Sequence, residues 1–207
     1  MKVLLINGSP NANGCTNRAL TEVAKTLREK GVDTEIFQIG NRPVWGCNAC
    51  NACEKLGRCV HDDDPANRMM ELMIEADGII IGSPVYYSGA NGALCALLDR
   101  VFYTAGKHLT GKPAAAVVSA RRSGTTAAFQ RLNQYFAIKQ MPVVTSQYWN
   151  NVHGYTPEDV EKDAEGLQTM RTLGKNMAWM LKLIEAGKTA ELPFPEGEEL
   201  IYTDFIR

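Results

Sequence analysis

The sequence predicts an α/β fold, namely a doubly wound, five-stranded parallel sheet with helices on both faces. Strand and helix patterns alternate from the first residue to about residue 187, as parallel sheets with crossover helices require. Several predicted strands are short, continuous apolar runs, which is typical of strands covered on both faces. The 207 residues contain no internal repeat or evident linker, so we expect one domain over 1–207.

Apolar runs mark strands, and apolar residues at helical spacing mark helices, in the first half of the chain. Asp64 before Pro65 predicts the start of the second helix, because an acid cap precedes a proline at the first helical position. The predicted elements are a strand over Lys2–Asn7, a helix over 18–30, a strand over 34–39, a cysteine-rich loop insertion over 41–64, a helix after residue 65 and a strand over 78–81.

The second half of the chain continues this alternation. Residues 156–159 combine a threonine cap, a proline and two acids, which predicts the start of the last helix. An extended tail rich in Pro and Glu follows from about residue 189, and we expect it to pack against a partner subunit. The predicted elements are a helix over 91–103, a strand over 113–119, a helix that ends near 138, a fifth strand that begins over 142–146 and a helix that ends near 187.

Charge and composition exclude several kinds of partner. The chain has 22 lysines and arginines against 23 aspartates and glutamates, so nothing favours binding to nucleic acid or a membrane surface. No apolar run is long enough to span a bilayer, and the chain opens with a strand pattern instead of a leader, so we expect a cytoplasmic protein. Six cysteines in such a chain do not indicate a disulfide framework.

Three polar, glycine-containing loops follow the first, third and fourth predicted strands, over 9–17, 83–89 and 120–126. Because the carboxyl ends of parallel strands meet at one edge of the sheet, we expect these loops to form one ligand site. The first loop lacks the lysine of a nucleotide triphosphate loop, and the chain lacks a dinucleotide fingerprint. Hydroxyls and amides must therefore bind the ligand, which suits a single phosphomonoester such as that of FMN; an ordinary strand-to-helix turn is the alternative interpretation.

Four cysteines crowd into one short segment in the pattern C-x2-C-x2-C-x5-C. Thiolates at this spacing are typical ligands of a 4Fe–4S cluster, and four thiolates can also hold zinc. Zinc ribbons usually use two knuckles separated by a longer stretch, which counts against zinc, and four free thiols are the third alternative. The nearby His61 is a further candidate ligand, unless it belongs to the acidic run that caps the next helix. The candidate metal ligands are Cys47, Cys50, Cys53 and Cys59.

Several motifs resemble those of the NADPH-dependent FMN reductase family of flavodoxin-like proteins. They are the GSP at residues 8–10 with the GCTN at 14–17, the SPVYY at 83–87 and the LDR at 98–100. The resemblance covers roughly the first 150 residues, and the cysteine segment looks like the compact motif of the iron–sulfur flavoproteins in that family. It implies a flavodoxin-like fold, bound FMN at the carboxyl end of the sheet and a homodimer or homotetramer.

The resemblance also implies a role for each matching loop. The first loop would hold the FMN phosphate, the second would pass along the edge of the isoalloxazine, and the third would lie near its pyrimidine side, where positive charge and N–H groups stabilise the reduced flavin. The implied FMN-binding residues are Ser9, Asn11, Cys15, Thr16 and Asn17, then Pro84, Val85, Tyr86 and Tyr87, then Ser119, Arg121, Arg122, Gly124 and Thr125.

These observations leave three functional hypotheses. The first is an FMN-dependent oxidoreductase that uses NAD(P)H to reduce flavins, quinones or similar small acceptors. The second is a non-catalytic electron carrier with FMN and a 4Fe–4S cluster that accepts electrons from ferredoxin. The third is a zinc-stabilised binding protein of the same fold. We assign no catalytic side chain, because a flavin carries out hydride transfer itself and the protein orients it.

Overall fold

A six-stranded sheet with helices on both faces forms the centre of this computed structural model, which describes residues 1–203 and 205. The strands are β1 Lys2–Asn7, β2 Asp33–Gln38, β3 Gly78–Tyr86, β4 Gly89–Ala90, β5 Ala114–Ala120 and β6 Asn151–His153. The helices are α1 Cys15–Glu29, α2 Cys53–Leu56, α3 Ala66–Glu75, α4 Gly92–Ala105, α5 Thr125–Ile138, α6 Pro157–Val160 and α7 Ala164–Thr189, with a 3-10 turn at Gly106–Leu109.

The strand order is β2-β1-β3-β5-β6, and all of these neighbours are parallel. The short strand β4 lies off this path and pairs antiparallel with the end of β3. In this order the chain changes direction between β1 and β3, and doubly wound sheets bind their ligands outside the carboxyl ends of the strands at such a point. The predicted doubly wound parallel sheet is confirmed.

The core consists of two apolar layers, one on each face of the sheet. Alternate residues of β1 enter the two layers, because successive side chains of a strand point to opposite faces. Leu4 and Ile6 pack with α3, α4 and α5, whereas Val3 and Leu5 pack with α1 and α7, and all four side chains are fully buried. Each such burial stabilises the fold by about 1.5–3 kcal/mol.

Two element bounds near the carboxyl edge differ from the sequence prediction. Helix α1 begins at Cys15, three residues before the predicted start, so the end of the first polar loop forms its first turn. Strand β3 continues to Tyr86 instead of ending at residue 81, because its far end pairs with β4 in a hairpin. Residues 83–86, predicted as loop, are therefore strand.

The fifth strand of the parallel sheet was predicted in the wrong place. Residues 142–146 contribute a single bridge, between Val143 and Ala114, and the edge strand is β6. The side-chain amide of Asn150 donates to the Ala116 carbonyl oxygen at 3.1 Å, and the backbone carbonyl oxygen of Asn150 accepts from Val118 N at 3.0 Å. These bonds bring the chain back alongside β5 after residue 149, whereas residues 142–144 pair only with Ala114 at its start.

The predicted helix start at residue 156 is confirmed, because Thr156 and Asp159 form a capping box at α6. That helix ends after one turn, and the long helix α7 begins after Asp163 and ends at Thr189. The predicted tail from 189 has no regular secondary structure over 192–203, and its Phe194 ring packs against Gly111. Among the described residues, no helix has the length and hydropathy that crossing a membrane requires.

Candidate functional site

The carboxyl ends of β1, β3 and β5 open into one cleft of about 630 Å³, which lies within the usual range for small-molecule sites. The three polar loops identified in the sequence all contribute to it, as the topology of the sheet requires. The predicted residues that line the cleft are Ser9, Asn11, Cys15, Thr16, Pro84, Val85, Tyr86, Ser119 and Arg121.

The first loop presents hydrogen-bond donors at the start of α1. The backbone N–H groups of the first helical turn have no partner within the helix, and the helix dipole makes this end positive. The first turn reads Cys15-Thr16-Asn17 and so brings no acid to compete with an anion. The loop itself is fixed locally, since Asn7 Oδ1 accepts from Ser9 N and Ser9 Oγ accepts from Asn11 N, both at 3.1 Å. This arrangement suits a phosphate monoester.

Two contacts join the first loop to the far side of the cleft. The Thr16 and Ser119 hydroxyls lie 2.8 Å apart, and both residues are buried. The Cys15 thiol donates to the Gly154 carbonyl oxygen at 3.6 Å. Burial raises the pKa of Cys15, which keeps the thiol protonated and unreactive at neutral pH. The thiol of Cys15 therefore serves to pack the first loop against the chain after β6.

The second and third loops pack directly on each other. Tyr87 and Ser88 form the two-residue turn between β3 and β4, and both have positive φ, as type I′ hairpin turns require. Gly124, with φ of 89°, faces this turn, and a Cβ placed there would lie 2.8 Å from Ser88 Cα and 2.9 Å from Val85 Cγ1. Because Gly124 has no side chain, the second and third loops can approach each other this closely.

Asn91 connects the first and second loops at the start of α4. Its Oδ1 caps the helix by accepting from Ala93 N at 3.0 Å, and its Nδ2 donates to the Gly8 carbonyl oxygen at 2.7 Å. Its backbone N–H donates to Ser83 Oγ at 2.9 Å. The sequence indicated Asn91 only as the start of a helix, and nothing in its spacing marked the bond to Gly8.

The remaining predicted FMN-binding residues lie outside the cleft lining: Asn17, Tyr87, Arg122, Gly124 and Thr125. Tyr87 is fully exposed at the tip of the hairpin. Sequence reasoning also missed residues that do line the cleft. They are Ala12, Asn13 and Gly14 in the first loop, Ala120 at the end of β5, and Gly154, Tyr155, Thr156 and Pro157 after β6. The last four could have been found only with the correct position of the edge strand.

A second open cleft of about 680 Å³ adjoins the first and shares Arg121, Gly154 and Tyr155 with it. His153 and Asp159 complete its lining. The His153 backbone N–H donates to Asp163 Oδ2 at 2.7 Å, so the α7 cap also fixes this wall. The adjoining cleft leaves the first cleft open to small molecules from the side of β6.

The four clustered cysteines lie together on a separate, small cavity of about 100 Å³. The chain turns sharply there, since Ala49, Asn51 and Gly57 all have positive φ. Within the part of the chain that the structure describes, no three side chains of His, Cys, Asp or Glu come close enough together to hold a metal ion. The structure thus gathers Cys47, Cys50, Cys53 and Cys59 around one cavity without closing them into a metal site.

Arg100 holds the end of the cysteine segment, and its side chain is almost fully buried. Its Nε donates to Cys59 Sγ at 3.1 Å, and its other nitrogens donate to the carbonyl oxygens of His61 at 2.8 Å and Trp45 at 3.2 Å. It also pairs with the equally buried carboxylate of Asp64. Burial alone would raise the pKa of Asp64, but the bonds from Arg100 and two backbone amides outweigh it and lower this pKa.

His61 lies beside the cysteine cavity and stacks on Trp45, with ring centroids 4.8 Å apart. Its Nε2 is buried and has no hydrogen-bond partner among the residues described. A buried ring nitrogen without a partner calls for an explanation, such as a bound water, an ion or a redox role. With four soft sulfur donors on the same cavity, the chemistry of this donor set fits a thiolate-bound cluster.

Comparison with known families now identifies the class of this protein. A sequence profile of the NADPH-dependent FMN reductase family matches residues 1–156, so the chain belongs to that family. It is a flavin-dependent oxidoreductase with FMN as its cofactor. This agrees with the hydrogen-bond donors at the start of α1 and with the cleft at the carboxyl edge of the sheet.

The more particular likeness is to iron–sulfur flavoproteins. One from Methanocaldococcus jannaschii is 36% identical over 193 residues, covering 89% of this chain and 100% of its own. One from Methanosarcina thermophila is 31% identical over 192 residues, covering 91% of this chain and 99% of its own. Both alignments extend beyond the three polar loops of the cleft and cover about nine tenths of this chain.

Solved structures confirm the flavodoxin-like fold. RosB with the bound intermediate 8-demethyl-8-formylriboflavin-5′-phosphate superposes with a TM-score of 0.69 at 14% identity, covering 100% of this chain and 92% of its own. A flavodoxin from the Archaea superposes with a TM-score of 0.60 at 17% identity, covering 88% of this chain and 99% of its own. At these identities the likeness extends to the fold alone.

Proposed function

We propose that this protein uses FMN, held in the cleft at the carboxyl edge, to pass electrons from NAD(P)H to flavins, quinones or similar small acceptors. The observation that carries the proposal is the cleft itself, in which α1 amides, the Thr16 hydroxyl and Arg121 meet between β1, β3 and β5. When bound, FMN supplies the hydride and electron chemistry. The chain's own residues seat the phosphate, line the ring and leave the adjoining cleft open to a second molecule.

The side chains and amides have distinct proposed roles along the cleft. The first loop binds the phosphate, through Ser9, Thr16 and the α1 amides, and Asn11, Cys15 and Asn17 support it. The hairpin residues Pro84, Val85, Tyr86 and Tyr87 border the ring edge. Arg121 offers positive charge beside the ring, with Ser119, Arg122, Gly124 and Thr125 forming and supporting that wall. These groups stabilise negative charge on the reduced flavin without transferring a proton.

This proposal is tested by titrating apo-protein with FMN and then measuring anaerobic NADH and NADPH oxidation. Thr16→Ala removes a phosphate-facing hydroxyl, and loss of a hydrogen bond to a charged group costs about 1.5–3 kcal/mol, so we expect Kd for FMN to rise by roughly 10- to 100-fold. Thr16→Ser should restore most of the affinity.

Thr21→Ala, an exposed threonine on the same helix, is the matched control and should leave Kd unchanged. Equal affinities for wild type and Thr16→Ala would remove Thr16 from the site. Tight FMN binding without oxidation of either nucleotide, in the presence of a quinone, would contradict NAD(P)H as the donor.

A second proposal concerns the cysteine segment: Cys47, Cys50, Cys53 and Cys59 hold a 4Fe–4S cluster, through which the protein exchanges single electrons with a carrier such as ferredoxin. Its support is the cavity shared by all four thiols, the unpartnered His61 Nε2 and the near full-length likeness to iron–sulfur flavoproteins. When bound, a cluster of this kind supplies one-electron transfer. The fold places the cysteine loop after β2, whose end is tied to the flavin loop by Gln38 Nε2 donating to the Ser9 carbonyl oxygen at 2.6 Å.

Cys50→Ser tests the cluster directly, because it removes one thiolate from an exposed part of the loop without touching the core. We expect iron and acid-labile sulfide to be lost from protein purified without oxygen, while FMN stays bound. Cys95→Ser, outside the segment, is the control and should keep both. Iron retained in Cys50→Ser would show that Cys50 is not a ligand.

We also propose that the protein works as a homodimer or homotetramer with its flavin cleft near the interface. Exposed aromatic side chains border the cleft, including Tyr86, Tyr87 and Tyr155, and such rings are enriched at protein interfaces. Sedimentation analysis at several concentrations tests this proposal, and Tyr87→Ser should weaken the association. A monomer at all concentrations would contradict it.

A further inference from the structure

We propose that Arg100 is a positioning residue for the cysteine site: it fixes Cys59 as a ligand and, through its hydrogen bond to the Cys59 sulfur, raises the reduction potential of the bound cluster. This inference rests on the proposed 4Fe–4S function. It assigns a role to a buried cation that does not line the flavin cleft.

The charges around the cysteine cavity favour this role for Arg100. Among the described residues that line the cysteine cavity, Arg100 alone carries a fixed positive charge, and no carboxylate is present in that lining. Four thiolates bring negative charge to this cavity, where Cys53 and Cys59 are half-buried, and a nearby cation stabilises such charge. Asp64, the ion-pair partner of Arg100, is not part of this lining.

The geometry of the Arg100 guanidinium also favours this role. Its planar array of N–H groups donates to four partners, and three of them, Cys59, His61 and Asp64, lie in one stretch of six residues. Lysine could not replace this fork, because an ammonium group has no fixed planar array of donors. The carbonyl of Trp45, just before the first cysteine, is the fourth partner. Arg100 therefore holds both ends of the cysteine segment against α4.

The direction of the effect follows from electrostatics. Reduction adds one negative charge to a cluster, and a hydrogen bond and a positive charge at a ligating sulfur stabilise the reduced form more than the oxidised form. Removal of Arg100 should therefore lower the midpoint potential. Removal of the Asp64 charge leaves the positive charge of Arg100 less compensated, so it should raise the midpoint potential of the cluster. A mere loosening of the loop would move both variants in the same direction.

The experiment is a redox titration of the anaerobically reconstituted holoprotein, followed by the EPR signal of the reduced cluster, together with iron, sulfide and FMN content. We expect Arg100→Gln to shift the reduction equilibrium at least tenfold towards the oxidised form, about 59 mV for one electron. Asp64→Asn should shift it the other way, and Arg100→Lys should lie between Arg100→Gln and wild type. Arg131→Gln, an exposed arginine on the neighbouring helix α5, is the matched control and should not shift it.

The outcomes separate this inference from the one on which it rests. Wild-type protein that takes up no iron and sulfide would overturn the proposed cluster, and the role of Arg100 with it. A wild-type cluster whose potential does not respond to Arg100→Gln, or responds in the same direction to Asp64→Asn, would overturn the role of Arg100 alone. If Arg100→Gln is unfolded and retains no FMN, the other two variants test the role of Arg100. Asp64→Asn should then raise the midpoint potential and Arg100→Lys should lower it, and the absence of both shifts would overturn the role.

Discussion

At the scale of single residues, the cleft depends on close approaches more than on large side chains. Gly124 allows the loop after β5 to touch the hairpin between β3 and β4, and Thr16 contacts Ser119 across the cleft. The sequence indicated Thr16 through the GCTN motif, and Gly124 as a residue that the family resemblance implies. Asn91, by contrast, could not be predicted, because its bond to Gly8 joins residues 83 positions apart and depends on the packing of α4.

Gly124→Ala should destabilise the protein and weaken FMN binding. Its φ of 89° disfavours an L side chain by about 1–2 kcal/mol, and the new Cβ would overlap Ser88. Chemical denaturation and FMN titration measure the two effects. Gly92→Ala, with no heavy atom within 4 Å of its Cβ and no positive φ, is the control. If both variants behave alike, the close contact between these two loops does not matter.

At the scale of elements, the sequence predicted the strands and helices that have strong local signals, and it misplaced the edge strand β6, which has none. The apolar run of β1 fixed its bounds, and the capping box fixed the start of α6. The edge strand β6 is only three residues long and begins with Asn151, so turn-like composition hid it. Its position is set by hydrogen bonds from Asn150 to β5, which connect residues far apart in the chain.

Helices α1 and α7 are joined by a nearly buried carboxylate, which gives stability a predictable pH dependence. Glu22 accepts from Arg18 at 3.0 Å on its own helix and from Arg171 at 2.7 Å on α7. Burial alone would raise the pKa of Glu22, but these two arginines outweigh it and hold the pKa below its ordinary value of 4.5. Because the folded pKa is the lower one, the stabilisation is present above pH 4.5 and is lost as the pH falls through the folded pKa.

Glu22→Gln should therefore lower the free energy of unfolding at pH 7 by about 1.5–3 kcal/mol. The difference from wild type should shrink as the pH falls below 4.5 and vanish below the lower folded pKa, where the folded wild-type carboxylate is also neutral. Urea denaturation at several pH values measures it. Glu29→Gln, an exposed position on the same helix, should have little effect. A difference that does not change with pH would contradict the charge-based explanation.

At the scale of the whole molecule, one helix links the two proposed redox sites. Asn91 caps helix α4 beside the first and second loops of the cleft, and the same helix carries Arg100 beside the cysteine cavity, about 14 Å further along its axis. The sequence predicted both sites from local motifs, GCTN with SPVYY and the cysteine spacing. Their relation through α4 required the three-dimensional packing, because no spacing in the chain connects Arg100 to Cys59.

The central claim is that one chain holds FMN in the cleft and a 4Fe–4S cluster at the four cysteines. The most direct test is an anaerobic visible absorption spectrum of the purified protein, with iron and acid-labile sulfide assayed on the same sample. We predict flavin bands on a broad shoulder, with about four irons and four sulfides per chain. Flavin bands alone, with no iron after anaerobic reconstitution, would contradict the claim and leave a simple FMN reductase with free cysteines.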